Sequence, residues 1–345
     1  MDWSKGYNAR YYATIVDRKT MKDVNTDNTS KSKIGLIDGT IQRSYEGLRE
    51  SADLTCENYS IEKETYIRVW LDTYQNGGFS HTPLFTGIAS SPGRNINGNV
   101  ERTSMQCYSM LKLADDILLP RGWYAPYDAS VDDLLRFLLA PVGTEIEIKA
   151  ETPKLKYSVI SEAGETRLTM ADKIISSIGW KMRLDGLGNI IIEPADAKSL
   201  NVEKVVFGSS ENDIIEPTLS IEYDWFNSPN IVRVIVDNQY AVARDDDPES
   251  PLSTVSRGRE VWLEDTSMEI NANESISEYA IRKLKEYQTA SVSISYDRRY
   301  MPDIYPYDTV RLNYPAQNIF GLFIIKSQTI TLGFNAKTSE EVVQI

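Results

Sequence analysis

Between Thr65 and Leu119 the apolar positions first recur every second residue and then shift to a helical spacing. In TYIRVWL, Ile67, Val69 and Leu71 alternate with Tyr66, Arg68, Trp70 and Asp72, which predicts a half-buried strand. A Gly77-Gly78 turn leads into PLFTGIASSP, where Leu84, Thr86 and Ile88 face away from Phe85 and Gly87. The run VERTSMQCYS alternates again, with Val100, Thr103 and Met105 among polar neighbours. It passes into SMLKLADDILLP, whose Met110, Leu113, Ala114, Ile117 and Leu118 form one helical stripe, with Ser109 as cap and Pro120 as stop. Strands closed off by a helix predict a small β-barrel with a plugged end, because an open meander leaves unpaired edges.

The same patterns divide the rest of the chain. YYATIVD opens a first strand, TMKDVNTDNTSKSK reads as a polar surface loop, and short strands fall near Ile34–Ile37 and Ala52–Cys56. After Pro120 the period changes. DASVDDLLRFLLAP predicts a helix capped by Ser130 and Asp133, with Val131, Leu134, Leu135, Leu138 and Leu139 on one face. TEIEIKA is a strand with Ile146 and Ile148 inward, and a helix follows over Thr169–Ile178, capped through Asp172 and closed by Gly179. WKMRLD and NIIIEP form a hairpin across Asp185-Gly186-Leu187-Gly188. From Val202 strands return as VEKVVFG, TLSIEYDWF and NIVRVIV, followed by a loop over 237–258 that reads as a mobile excursion. A helix at 275–287, with Ser275 and Glu278 as capping box and Ile276, Ala280 and Leu284 on one face, precedes SVSISY, DTVRLNY and FGLFIIKSQTITLG. The expected fold is mostly β with an α+β insert. Two tube-like β-barrel domains, at 1–120 and 201–345 and each with a packing helix, flank a small α+β domain at 121–200.

Composition narrows the function. The 50 acidic against 37 basic residues give a net charge of −13, which argues against stable nucleic-acid binding, since phosphates are held by cations. It fits a soluble protein, or the lining of a passage that DNA must cross without sticking. Cys56 and Cys107 show neither zinc nor disulfide spacing, no signal region opens the chain, and no apolar run is long enough for a membrane span.

Candidate chemistry is sparse. The single histidine, His81, sits beside the Gly-Gly turn with no Cys or Ser motif around it and reads as an exposed loop residue rather than an acid–base catalyst, and multi-histidine metal sites are excluded by count. Asp115-Asp116 and Asp132-Asp133 point in divergent directions on helices, unlike a facing glycosidase pair. Asp245-Asp246-Asp247 lacks the spacing of a calcium loop, and Gly186-x-Gly188 lacks the context of a nucleotide fingerprint. Arg257-Gly258-Arg259 reads as an ordinary exposed loop, with contact to an acidic partner or a phosphate as the alternative. No catalytic, metal or cofactor-binding residue is assigned, and no cofactor is expected.

One resemblance runs through the chain. ATIVDRKTMKDV, PLFTGI, CYSMLKLADD, GWYAPYDASVDDLL, GWKMRLDGLGNIIIEP, SPLSTVSRGR, EYAIRKLKEYQ, MPDIYPYDTVRL and GLFIIKSQTITLG follow one another from Ala13 to Gly333. Together they resemble the central hub proteins of phage tails, the late-control-D-like baseplate hubs of contractile tails. The resemblance implies a non-enzymatic homotrimer in the virion tail baseplate, assembled in the host cytoplasm. Its two barrels per subunit would form a quasi-sixfold ring that joins the hexameric tail tube protein to the threefold central spike protein. Other baseplate proteins and a tape measure protein are further implied partners. A tail-associated wall-degrading subunit and a carbohydrate-binding tail module are the alternatives.

Overall fold

A computed structural model describes residues 3, 6–24, 33–57, 59, 61, 63–90, 92–98, 100–156, 158–195, 202–208, 215–236, 239–266, 274–289, 291–333 and 336–344. The alternating N-terminal segments form β1 (Asn8–Ile15), β2 (Lys33–Ser44), β3 (Glu50–Glu57), β4 (Thr65–Gln75), β5 (Gly78–Ala89), β6 (Gly93–Asn97) and β7 (Val100–Ser109). They pair in the order β1-β4-β5-β7-β3-β2, and β1 returns to β2 through Tyr12↔Gly35, Ala13↔Ile34 and Thr14↔Lys33. That last pairing closes a six-stranded barrel. Its interior is filled by Ile41, Leu54, Cys56, Ile67, Val69, Leu71, Phe85, Met105 and Cys107, all buried.

The alternation expected in β5 breaks at one point. Val69 lies opposite Phe85 but Trp70 lies opposite Pro83, so Leu84 is an extra, bulged residue, and Leu84 through Ala89 are all buried. The stretch after β7 also departs from expectation. Helix covers only Lys112–Asp115, Ser109 does not cap it but donates its hydroxyl to Leu48 O at 2.6 Å, and Ile117 and Leu118 are exposed. Beyond Asp116 the backbone pairs with another segment: Leu119 N donates to Glu165 O and Arg167 N to Ile117 O, both at 2.9 Å. These tertiary bonds replace the last helical turns. Met110, Leu111, Ala114 and Leu119 accordingly join the core of the α+β unit that follows.

That unit contains β8 (Tyr124–Ala125), β9 (Ile146–Ile148), β10 (Val159–Ile160), β11 (Trp180–Leu184) and β12 (Ile190–Pro194). The expected hairpin β11–β12 is present, with β9 parallel to β12. The helix Val131–Leu139 starts at Ser130, whose side chain accepts from Asp133 N, and its apolar stripe is buried at Val131, Leu135, Leu138 and Leu139. A second helix, Arg167–Ser177, is capped by Thr166 and Thr169 rather than through Asp172, whose carboxylate is taken by Arg49 at 2.6 Å. Gly179, at φ +67°, ends this helix by donating its N–H to Ser176 O.

The C-terminal strands are β13 (Val205–Gly208), β14 (Ile215–Tyr223), β15 (Ile231–Val236), β16 (Gln239–Arg244), β17 (Trp262–Asp265), β18 (Val292–Arg298), β19 (Thr309–Tyr314), β20 (Ile319–Leu332) and β21 (Thr338–Gln344). Six of them pair in the order β13-β19-β20-β21-β18-β14. Taken in chain sequence, β13, β14, β18, β19, β20 and β21 stand where β1, β2, β3, β4, β5 and β7 stand in the barrel. The strand order is thus written twice in the same sequence. One strand departs: β13 runs parallel to β19, whereas β1 runs antiparallel to β4. The two sets are joined edge to edge, Gly39–Ser44 of β2 pairing with Leu332–Ser327 of β20.

NIVRVIV, read as part of the second barrel, instead forms β15 of a separate sheet ordered β16-β15-β17. The helix Ile276–Thr289 packs on that sheet through Tyr279, Ala280 and Leu284 against Val232, Val234 and Ala243. The expectation that it packs on a barrel is therefore wrong. Its periodicity marked an apolar face but not the partner that the face meets. The segment 237–258 is not a simple loop either: 237–238 lie outside the described residues, and the remainder holds β16 and a short helix, Thr254–Arg257.

Candidate assembly surfaces

None of the residues weighed for chemistry converges on a reaction centre. His81 lies in β5, not in a loop, with its ring stacked on Trp70 at 3.9 Å and Nδ1 2.6 Å from Asp72 Oδ1. Cross-strand pairing of Asp72 with His81 fixes this contact. Asp115 and Asp116 both hold Lys112, and Asp132 holds Arg136 at 2.9 Å. Asp245 accepts from Ser250 and Gln288, while Asp246 accepts from Arg244 and Thr254, so the acidic run builds a turn. The Thr254 hydroxyl and the Arg244 guanidinium hold the Asp246 carboxyl below its usual range. Among the described residues no group of three or more His, Cys, Asp and Glu is placed to hold a metal ion.

What the polar residues do instead is lock modules together. The Asp185–Asn189 turn presses onto the barrel at the β5 bulge. Thr86 Oγ1 donates to Gly186 O at 2.8 Å, and a Cβ at Gly186 would lie 2.0 Å from Pro83 O. Beside it, Arg68 pairs with Asp23 at 2.9 Å and reaches Leu187 O at 3.4 Å. Arg49 Nε donates to Met182 O at 3.2 Å while its guanidinium grips Asp172. Where barrel, α+β unit and C-terminal sheet meet, Arg43 and Glu50 form a buried ion pair at 2.9 Å. Tyr305 lies between the guanidiniums of Arg43 and Arg183, 4.8 and 4.7 Å from its centroid. The basic motif is a tether as well: Arg257 and Arg259 both donate to Phe226 O.

Exposed apolar groups gather in a few places. Tyr74 and Phe79 form a ring pair at 5.1 Å near the tip of the β4–β5 hairpin. On the α+β unit, Tyr124 and Ile160 face each other across the β8–β10 ribbon, both exposed. The open face of the β16-β15-β17 sheet shows Tyr240, Val242 and Trp262. The densest run is at the end of β14, where Ile221, Tyr223, Trp225 and Phe226 are all exposed. Patches of this kind mark contact surfaces. The sequence reading missed this edge, although the spacing of Leu219, Ile221 and Tyr223 was its visible signal. Among the described residues no helix is long and apolar enough to cross a membrane.

No protein-family model and no curated protein sequence matches the chain. Solved structures do. A tail protein from Neisseria meningitidis MC58 superposes with a TM-score of 0.70 at 16% identity, covering 99% of this chain and 97% of that one. The 43 kDa tail protein of prophage MuSo2 from Shewanella oneidensis gives 0.68 at 13% identity, with 98% of each chain covered. An E. coli component of the type VI secretion system, described as similar in structure to the T4 bacteriophage tail proteins gp27 and gp5, gives 0.53 at 10% identity. It covers 90% of this chain and 74% of that one. The chain carries the fold of these phage tail proteins, as the resemblance implied.

Proposed function

We propose that the chain is a structural hub subunit of the tail baseplate in a phage or phage-derived contractile particle. Three copies form a ring that adapts a sixfold tail tube to a threefold central spike. The observation that carries this reading is the strand order, which occurs twice in the same chain sequence and is fused through β2 and β20. The second set is read as a second tube-like barrel, within a unit spanning 201–345. Its end strands β13 and β14 are separated in the chain only by residues 209–214, so their linked ends lie within about 25 Å of each other. Two equivalent barrels per chain let three chains present six similar faces.

The reading needs no catalysis, and the structural use of His81 and of the aspartate pairs supports a non-enzymatic role. Tube, spike, other baseplate proteins and the tape measure protein are its proposed partners. A net charge of −13 suits a bore through which DNA passes without being retained. Native mass measurement of the purified protein, alone and with tube and spike proteins, tests the reading. Three copies on the spike are expected; a single copy in the presence of both partners refutes it.

A further inference from the structure

We infer that the free edge of β14, from Leu219 to Tyr223 and on to Phe226, is the surface on which the next copy of this chain docks. The inference rests on the ring reading above and names the contact that closes it. It begins inside one chain. β2 pairs with β1 near its start, through Lys33–Gly35, and with β20 over Gly39–Ser44. The latter half of β2 is thus where the first strand set receives the second. β14 holds the position of β2 in the repeated order, yet among the described residues it pairs only with β18. Among the described residues its latter half, Leu219–Tyr223, has β18 on one side and no strand on the other.

The side chains there do not suit water. Leu219, Ile221 and Tyr223 alternate with Ser220 and Glu222. Exposure is 36% at Ile221, 56% at Tyr223, 57% at Trp225 and 74% at Phe226, and the Tyr223 and Trp225 rings lie 5.1 Å apart. Exposed, apolar edge strands are avoided unless something covers them. A monomer with this edge bare carries an association-prone stripe; a ring of copies hides it.

The internal joint also indicates which part of the neighbour arrives. β20 holds the place of β5 in the repeated order, so the neighbour's counterpart is the β4–β5 side of its first barrel. There β4 pairs along β5 from Thr65↔Ala89 to Gln75↔Gly78, so the flank of β5 that corresponds to the place of β2 on β20 is already filled and offers side chains. The contact is therefore heterologous, edge against closed wall, which is the kind that generates rings.

Two variants of the full chain test this, compared with wild type by native mass measurement across a concentration series. Ile221→Asp with Tyr223→Asp acts on the edge itself. Trp225→Asp with Phe226→Asp lies past the last strand residue and leaves the β14–β18 pairing intact. The control, Leu118→Asp with Ile160→Asp, removes equally exposed apolar groups from the α+β unit. Each β14-end variant is expected to weaken self-association by about 30-fold or more, with the control unchanged. A photo-crosslinking residue at 223 is expected to label peptides from 65–89 of another copy. Trimers that persist in both variants overturn the inference and leave the ring reading standing. So do crosslinks from 223 to 223, or a wild-type chain that stays monomeric throughout, since the spike experiment judges the ring separately.

Discussion

Gly186→Ala probes the joint between the barrel and the α+β unit. No left-handed backbone is involved at this residue, so the substitution acts through space alone. The added Cβ would stand 2.0 Å from Pro83 O, 2.5 Å from Pro83 C and 3.1 Å from Leu84 N. All three are backbone atoms at a buried bulge and cannot rotate away. The turn must withdraw by about 1–1.5 Å to reach ordinary contact. That movement breaks the hydrogen bond from Thr86, which is fully buried and finds no water in exchange. Thr86 Oγ1 still accepts from Arg68 Nε at 2.9 Å, but its buried O–H is left unpaired at a cost of about 1–3 kcal/mol, and overpacking adds about 1–3 kcal/mol. The sum, about 2–5 kcal/mol, is a large share of the stability of an ordinary domain. Urea unfolding followed by tryptophan fluorescence reads it, with Gly35→Ala as the reference. Gly35 also lies outside the left-handed region, and nothing lies within 4 Å of its Cβ position. Loss of about 2 kcal/mol or more at 186, with little change at 35, is expected. Equal effects at both positions would show that the turn is not pressed onto the barrel.

Two further outcomes follow from the buried ion pairs. Burial pushes the Glu50 carboxyl up from 4.5 to about 7 against the opposing pull of Arg43. A carboxyl with a raised folded pKa adds stability below its unfolded value, and that stability fades as pH rises through the folded value. Melting temperature should therefore fall between about pH 5 and about pH 8, and Glu50→Gln should flatten that slope; parallel slopes would refute the assignment. Arg298 and Glu340 pair inside the C-terminal sheet with Gln328 as a third partner. Arg298→Met alone should cost about 3–5 kcal/mol in chemical denaturation, and adding Glu340→Leu should recover much of it; a double variant no better than the single would contradict the pairing.

Legibility followed the reach of each signal. Where a pattern reports on its own residues, the reading held: the alternation of Ile67, Val69 and Leu71, the Ser130 cap, the Ser275–Glu278 capping box and the β11–β12 hairpin. It failed where a residue answers to something distant in the chain. Ile117 and Leu118 continue a helical stripe, but the Ile117 carbonyl accepts from Arg167 N and the next amide, Leu119 N, donates to Glu165 O. Asp172 fits a cap, yet Arg49 approaches from the barrel. The second apolar helix face met β15 and β16 rather than a barrel, because a stripe specifies burial and not its partner. Gly186 was legible as a turn glycine. Its closeness to Pro83, more than a hundred residues away in the chain, leaves no mark in local spacing.

The position of the second small unit bears on how such a chain could lower symmetry. In the first strand set β2 and β3 are joined by residues 45–49. The equivalent strands of the second set, β14 and β18, are joined by residues 224–291, which hold β15, β16, β17 and their helix. Asp224 N donates to Ser291 O at 2.8 Å, so the chain leaves and re-enters the sheet at one point and the strand order is not disturbed. An insertion placed this way costs the sheet little, because loop closure depends only weakly on length when the ends already meet. In a ring of three copies, six positions would repeat the same strand order, while the inserted sheet would stand at three of them. The α+β unit, pinned through Gly186, would likewise occur once per chain. A sixfold neighbour would meet the strands and a threefold one the additions. The step from six to three would then come from what fills one of two equivalent turns, with the barrels themselves left alike.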